Sequence, residues 1–350
     1  MPQSDVSSIP STHPPARRPS CSTPTAYVLG VDVAKRTLAC ALHPTATPDA
    51  LHEETVANDE TGFAALLERC TRRGVAPAEV HVCLEASGGY EQPVARYLHA
   101  AGCTVSVVNP ARTKAYAQSQ RMRVKTDPVD ARLLARFAAR EEPAAWTPPD
   151  PSHEALRETT RALQTLIRER ARMQTRQQRA TNEAVRHAFG GVIETLDRQI
   201  QELEAAIDVH ADECTAVRQA CQLLESIPGI GRRSAIRVLA ELGDWTRFAS
   251  ARQVAAYAGL TPSHHRSGTS VRRRSRLSKT GNRRLRTALY MPALTAIRFN
   301  SAIRSQAERL RQAGKAEMVI VGAAMRKLLH ICFGVLKNQA PFNPALHPGT

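Results

Sequence analysis

Two aspartates stand three residues apart in KTDPVDARLL, residues 125–134 of a 350-residue chain. At i and i+3 of a helix, Asp127 and Asp130 lie on one face. Like charges held side by side repel each other unless a cation sits between them, and an all-oxygen pair suits Mg²⁺ or Mn²⁺. Pro128 fits a first helical turn, where its missing N–H would have no partner anyway, and Asp127 just before it reads equally well as a helix cap. On the pair alone the cap is the better reading. Two further acids shift the balance. Asp32 follows the apolar run at residues 27–31, and Glu85 ends the run at residues 80–84. A charge at the end of a buried strand costs free energy unless it is paired, solvated or bound to a metal. Singly, each reads as a residue emerging into water. Four acids gathered by a sheet and an adjoining helix could hold two divalent ions, which polarise a phosphodiester and stabilise both its entering and its leaving oxygen.

The second reactive stretch is SHHRSGTSVRRRSRLSKTGNRRLR, residues 263–286, with nine Lys or Arg and no acid. Its bland reading is a flexible basic loop that grips any nucleic acid, each neutralised phosphate steepening the salt dependence of binding. Arg266, Arg272, Arg273, Arg274, Arg276, Lys279, Arg283 and Arg284 are the candidate phosphate contacts, since a guanidinium offers carboxylate and phosphate oxygens a bidentate fork. A serine hydroxyl attacks only when a base, a metal or positive charge activates it. By setting alone Ser263, Ser267, Ser270, Ser275 and Ser278 compete equally. The neighbouring His264 and His265 have no further ligand at metal-site spacing and belong to the basic surface. Upstream, SIPGIGRRS reads as a tight turn whose glycines bring backbone N–H groups to a helix start, an anion site strengthened by Arg232 and Arg233. The alternative there is an ordinary helical hairpin. No GxxxxGK[ST] loop is present.

A net charge of +16 favours a polyanionic partner, most often nucleic acid. No run approaches the ~20 consecutive apolar residues of a spanning helix, and no secretory signal is legible, so a soluble, cytoplasmic protein with no membrane partner is expected. Eight scattered cysteines without a CxxC pair predict reduced thiols, with neither a zinc site nor a disulfide framework.

These residues must be positioned by a small set of elements. Residues 1–24, rich in Pro and Ser, predict a disordered leader. Residues 25–145 predict an α/β domain with a mixed sheet: AYVLGVDVA, TLACALH and HEETVA as strands, TGFAALLERCTRRG as an amphipathic helix closed by Gly74, then EVHVCLEA, a helix, TVSVVN, and helices beginning near Pro110 and Pro128. After the EEPAAWTPPDP linker, residues 152–222 predict a long helical hairpin or coiled coil broken at Gly190 and Gly191, suited to dimerisation or else a solvated linker pair. Residues 223–337 predict a mainly helical domain bearing the basic block, and 338–350 a tail.

GVDVAK at 30–35, CLEASGGY at 83–90 and KTDPVDA at 125–131 resemble the Asp-Glu-Asp-Asp signature of bacterial insertion-sequence transposases of the IS-one-hundred-and-ten type. The resemblance continues through SIPGIG, RFASARQVAAYAGLTPSHHRSGTS and LSKTGNRRLRTALY, from Tyr27 to about residue 335. It implies an RNase H-like, RuvC-like N-terminal nuclease domain, Mg²⁺ on Asp32, Glu85, Asp127 and Asp130, and Ser267 as nucleophile in a phosphoserine mechanism. It also implies donor and target DNA as substrates, a structured non-coding guide RNA that pairs with both, and a homo-oligomer, dimer or tetramer, whose subunits share the composite site. The long Pro/Ser-rich leader and Pro128 inside Asp-x-x-Asp depart from the pattern without removing a functional group. Two other readings stand beside it: a metal-dependent junction nuclease using water, and a non-catalytic nucleic-acid-binding protein.

Overall fold

The computed structural model describes residues 25–45, 52–121, 126–263, 266–267, 271–272 and 276–346, so the expected leader lies outside the described residues. The chain divides into two compact units, residues 1–148 and 149–350.

In the first unit, β1 (Tyr27–Val33), β2 (Thr37–Pro44) and β3 (His52–Ala57) form an antiparallel meander. The helix α1 (Glu60–Arg72) follows, capped by Asp59, whose carboxylate accepts from the Gly62 amide at 2.9 Å. Then come β4 (Val80–Glu85), α2 (Gln92–Ala100), β5 (Thr104–Val108), α3 (Pro110–Ser119) and α4 (Asp127–Glu141). The five-stranded sheet runs β3-β2-β1-β4-β5, with β4 and β5 parallel to β1. This is the mixed sheet that the strand and helix order predicts, because parallel neighbours need the helical crossovers that α1 and α2 provide.

Side-chain alternation splits the sheet into two faces. Leu29 and Val31 point to one, packing with Phe63 and Leu66 of α1 and Val94 and Leu98 of α2. Val28 and Cys83 point to the other, where Leu134, Ala135 and Ala138 of α4 cover them. The second face is lined with small residues: Ala39 and Ala41 of β2 meet Ala131 of α4. A Cβ added at Gly30 would stand 2.1 Å from the Ala131 carbonyl oxygen and 2.4 Å from the Ala135 nitrogen. Gly30 is therefore what lets the α4 backbone lie directly on β1. Beyond α4 the linker is laid along β5, with Trp146 N–H donating to the Val105 carbonyl at 2.6 Å and Ser106 Oγ to Ala144 O at 2.9 Å.

The second unit opens with α5 (Pro151–Arg179) and α6 (Glu183–Glu213). Arg170 pairs with Asp197 at 2.8 Å and the His210 ring meets the Ser152 carbonyl at 2.9 Å, so the two helices run antiparallel. The break between them is not at Gly190 and Gly191, which lie inside α6. It falls just before Asn182, whose side chain accepts from the Val185 amide at 3.3 Å and so starts the new helix. Gly190 instead faces α5, where a Cβ would meet Gln177 Nε2 at 3.3 Å.

There follow α7 (Thr215–Glu225), α8 (Arg232–Leu242), α9 (Ala251–Tyr257), four two-residue strands β6 (Pro262–Ser263), β7 (Arg266–Ser267), β8 (Val271–Arg272) and β9 (Arg276–Leu277), then α10 (Arg283–Ala288), α11 (Tyr290–Phe299), α12 (Ser301–Gln312) and α13 (Glu317–Asn338). One apolar core joins Leu156 and Leu163 of α5 and Ile207 of α6 to Leu224, Leu239, Leu289 and Leu328. The base of the helical hairpin is thus built into the same core as the later helices. By length and composition α13 is apolar enough to cross a membrane, yet 67% of that stretch is buried within the unit.

Candidate active site

The register of β1 against β4 places Val31 opposite Leu84, so Asp32 and Glu85 follow as neighbours at the ends of parallel strands. Both share the parity of Gly30 and Cys83 and so belong to the face covered by α4. That helix runs antiparallel to β1: Ala131 and Ala135 sit at Gly30, while Leu134, Ala135 and Ala138 pack with Val28. Its first turn, with Asp127 and Asp130, therefore lies toward the end of β1 that carries Asp32. Asp127 is the first helical residue, not the cap; the cap position belongs to Thr126, whose side chain makes no capping bond. Two carboxylates in the first turn are favoured by the positive end of the helix dipole.

Asp32, Glu85 and Asp130 are half-buried and Asp127 is exposed, so a cation can reach each of them. The donor set, all carboxylate oxygen, fits a hard divalent ion in its chemistry. The side chains as they stand are not drawn together: among the described residues no group of three or more acidic, histidine or cysteine side chains is close enough to hold an ion. The fold supplies the common end of the sheet.

Sequence reasoning missed two residues here. Thr113, on α3 and 2% exposed, donates its hydroxyl to Glu85 Oε2 at 2.6 Å. Glu91 is 5% exposed and accepts from the amides of Ser87 at 3.0 Å and Gly89 at 2.8 Å, folding back the loop that follows Glu85. Burial pushes the Glu91 carboxyl up, and the backbone N–H bonds outweigh it and hold it below the usual range. The Gly-Gly pair at 88–89, with φ of 79° and 116°, is the signal that the chain turns sharply enough there for amides to converge.

In the second unit the described residues of the basic block include four short strands. β6 pairs with β9 and β7 with β8, both antiparallel, as two short two-stranded pairings, called the ribbon below, with Ser267 opposite Val271 and Arg266 opposite Arg272. Arg273 and Arg274 lie outside the described residues. At the base Ser278 N–H donates to Thr261 O at 2.9 Å, Lys279 N–H to Gly259 O at 3.2 Å and Asn282 N–H to Tyr257 O at 2.6 Å. A Cβ at Gly281 would meet the Tyr257 carbonyl oxygen at 2.3 Å, which explains a glycine at that close approach. Arg276, Lys279, Arg283 and Arg284 are exposed around this base.

The ribbon is fastened to a buried charge. Glu241 of α8 is 6% exposed and takes both Arg161 Nε and Nη2 at 2.8 Å, a bidentate pair. Asn282 Nδ2 reaches the same carboxylate at 3.2 Å and the Glu241 carbonyl at 3.1 Å, while its Oδ1 caps α10 through the Arg284 and Leu285 amides. A glutamate inside the apolar run IRVLAELGD was the legible sign of this hub. By contrast Arg232 and Arg233 turn to α6: Arg232 bonds Asp208 at 3.0 Å and Asp212 at 2.8 Å, and Arg233 bonds Glu204 at 2.7 Å. Both guanidinium groups hold the glycine turn to the hairpin.

A model of a DEDD transposase family of the IS110 type matches residues 29–184, enclosing all four acids, and the transposase IS116/IS110/IS902 family model matches residues 221–308, enclosing the ribbon. The pilin gene-inverting protein of Moraxella lacunata is 33% identical over 329 residues, spanning 91% of this chain and 98% of that protein. The chain belongs to the IS110 family of transposases. Members of this family catalyse DNA cleavage and rejoining, and the N-terminal unit of this transposase carries the mixed five-stranded sheet with helices on which the four acids of the family model sit. DEDD domains of this kind use divalent metal ions. An insertion element IS110 protein of Streptomyces coelicolor is 29% identical over 150 residues, 43% of this transposase and 37% of that protein. Among solved structures, RuvC of Thermus thermophilus with a Holliday junction substrate is 17% identical at a TM-score of 0.26, covering 34% of this transposase and 98% of that chain.

Proposed function

We propose that this transposase moves or inverts DNA segments through a covalent serine intermediate. Asp32, Glu85, Asp127 and Asp130 would hold Mg²⁺, with Mn²⁺ as a substitute, and the ion supplies charge neutralisation at the scissile phosphate. The Ser267 hydroxyl loses its proton and its Oγ bonds to phosphorus, while the bond to the leaving strand's oxygen breaks and that oxygen takes up a proton. A terminal hydroxyl of the new strand then attacks the phosphoserine, restoring a phosphodiester and the free serine. One phosphoester bond is exchanged for another at each step, so no nucleotide hydrolysis is required. Arg266, Arg272, Arg273, Arg274, Arg276 and Lys279 grip phosphate oxygens beside the serine. A structured non-coding RNA guides site choice, and the protein works in the cytoplasm as a homo-oligomer, dimer or tetramer, assembled through its helical hairpin.

The observation that carries this reading is the placement of Asp32 and Glu85 side by side at one sheet end toward which the acidic start of α4 also points. Inversion, named in the Moraxella relative, is the rejoining chemistry applied to two sites on one molecule. The test is denaturing electrophoresis of the reaction with labelled DNA. A protein–DNA adduct is expected for the wild type, absent in Ser267→Ala and in Asp130→Ala. Free 5′-phosphate ends that persist in Ser267→Ala would replace this mechanism by metal-dependent hydrolysis with water.

A further inference from the structure

A cleft in the second unit of about 410 Å³ is walled by Gln164 of α5, Arg237 of α8, Arg286 and Thr287 of α10, and Tyr290 and Met291 of α11. No acid lines it. Arg237 is half-buried, and among the described residues no hydrogen bond or ion pair engages its guanidinium. The acid one turn further along α8, Glu241, is already committed to Arg161 in both oxygens. A cation held partly out of water without a partner is costly, and a ligand anion repays that cost where a surface cation would gain little. Burial holds the Arg237 guanidinium below its ordinary value, opposed by the charge of Glu241.

Arg286 joins the cleft to the serine ribbon. It lines the cleft while its Nη1 donates to Ala258 O at 2.8 Å, and the same Nη1 lies 2.6 Å from where a Cβ at Gly259, on the ribbon base, would be. Tyr290, 37% exposed, and Met291, 64% exposed, give the cleft an aromatic and a thioether wall that water does not favour. Cations that bind phosphate beside a flat apolar surface that takes a base are the two halves of single-strand recognition.

We propose that this cleft binds a single nucleic-acid strand, with a phosphate on Arg237 and Arg286 and a base against Tyr290. The proposal rests on the protein's action on nucleic acid, but its readout is binding. Recombination by Ser267→Ala would therefore remove the mechanism above without touching this site.

The test is fluorescence anisotropy over a range of salt concentrations with labelled single-stranded DNA and RNA of one sequence. The full-length protein is compared with Arg237→Gln and Tyr290→Leu. Arg237→Gln is expected to weaken binding and to flatten the slope of log K against log salt by about 0.7. Tyr290→Leu is expected to weaken binding roughly five- to a hundredfold with the slope unchanged. Loss with the RNA alone assigns the cleft to a guide, and loss with the DNA alone assigns it to substrate. The melting temperature of Arg237→Gln should stay close to that of the wild type, because no hydrogen bond or ion pair among the described residues engages the guanidinium and its burial cost offsets the attraction of Glu241. Unchanged affinity and slope for both strands, or a lowered melting temperature in Arg237→Gln, overturns the proposal.

Discussion

The Thr113 hydroxyl has one proton and two acceptors in reach, Glu85 Oε2 at 2.6 Å and the Pro110 carbonyl at 3.0 Å. A charge-assisted bond to a carboxylate is the stronger of the two, so the proton goes to Glu85 and fixes which oxygen remains for other work. Thr113→Val should raise the Mg²⁺ concentration needed for half-maximal strand cleavage, and Thr113→Ser should restore it. If Val and Ser behave alike in a metal titration, Thr113 does not orient Glu85. Asp32 and Glu85 could be found in the sequence because each interrupts an apolar run. Thr113 could not, because a helical threonine usually bonds the carbonyl a turn behind it, and nothing local distinguishes one that reaches another strand.

Between elements, the governing contact is α4 on β1. Gly30→Ala puts a methyl group 2.1 Å from a backbone oxygen that cannot rotate away, so the helix must lift from the sheet. A destabilisation of about 1–3 kcal/mol or more is expected in chemical denaturation, together with loss of cleavage. A second contact of this rank is Arg161 with Glu241. Glu241→Ala leaves Arg161 and Asn282 without their acceptor and should cost about 1–3 kcal/mol, since Arg161 is partly exposed to water, whereas replacing both members of the pair by apolar residues should cost less. Burial raises the Glu241 carboxyl, but the hydrogen bond and charge of Arg161, with help from Asn282, hold it below the ordinary value of 4.5. A depressed carboxyl contributes stability that is present above the unfolded value and is lost as pH falls through the folded one. His81, bonded to Ser106 at 2.8 Å, is depressed below 6.5 by burial against the opposing charge of Glu142. The neutral form is the one the fold accepts, so its contribution is complete above 6.5 and fades as pH drops below that. Melting curves should therefore show the first unit weakening from below pH 6.5, and the Glu241 contribution to the second persisting until below 4.5. Helix and strand types were readable from periodicity, but the turn between α5 and α6 was not. Glycine inside a helix costs only about 1 kcal/mol, which tertiary packing overrides, and Asn182 set the start instead.

For the molecule as a whole, the +16 charge makes binding to polyanions steeply salt-dependent, and the basic character was plain from composition. Composition could not tell which arginines are already spent: Arg161, Arg232 and Arg233 serve the fold, while Arg237, among described residues, has no hydrogen-bond or ion-pair partner. The thiols follow the same division. Burial pushes Cys83, Cys103, Cys221 and Cys332 up to about 12, and of the described cysteines Cys214 alone is more than marginally exposed. Brief treatment of the native protein with iodoacetamide should label Cys214 among these, and mass spectrometry showing Cys83 or Cys332 modified would contradict the packing.

The footing of the ribbon, where Gly259 and Lys279 share a hydrogen bond and Asn282 is knotted to Tyr257 and Glu241, has a thermodynamic corollary. Both ends of the excursion are clasped at one place, so a change of length within it should leave the melting temperature of the helices beneath nearly unaltered.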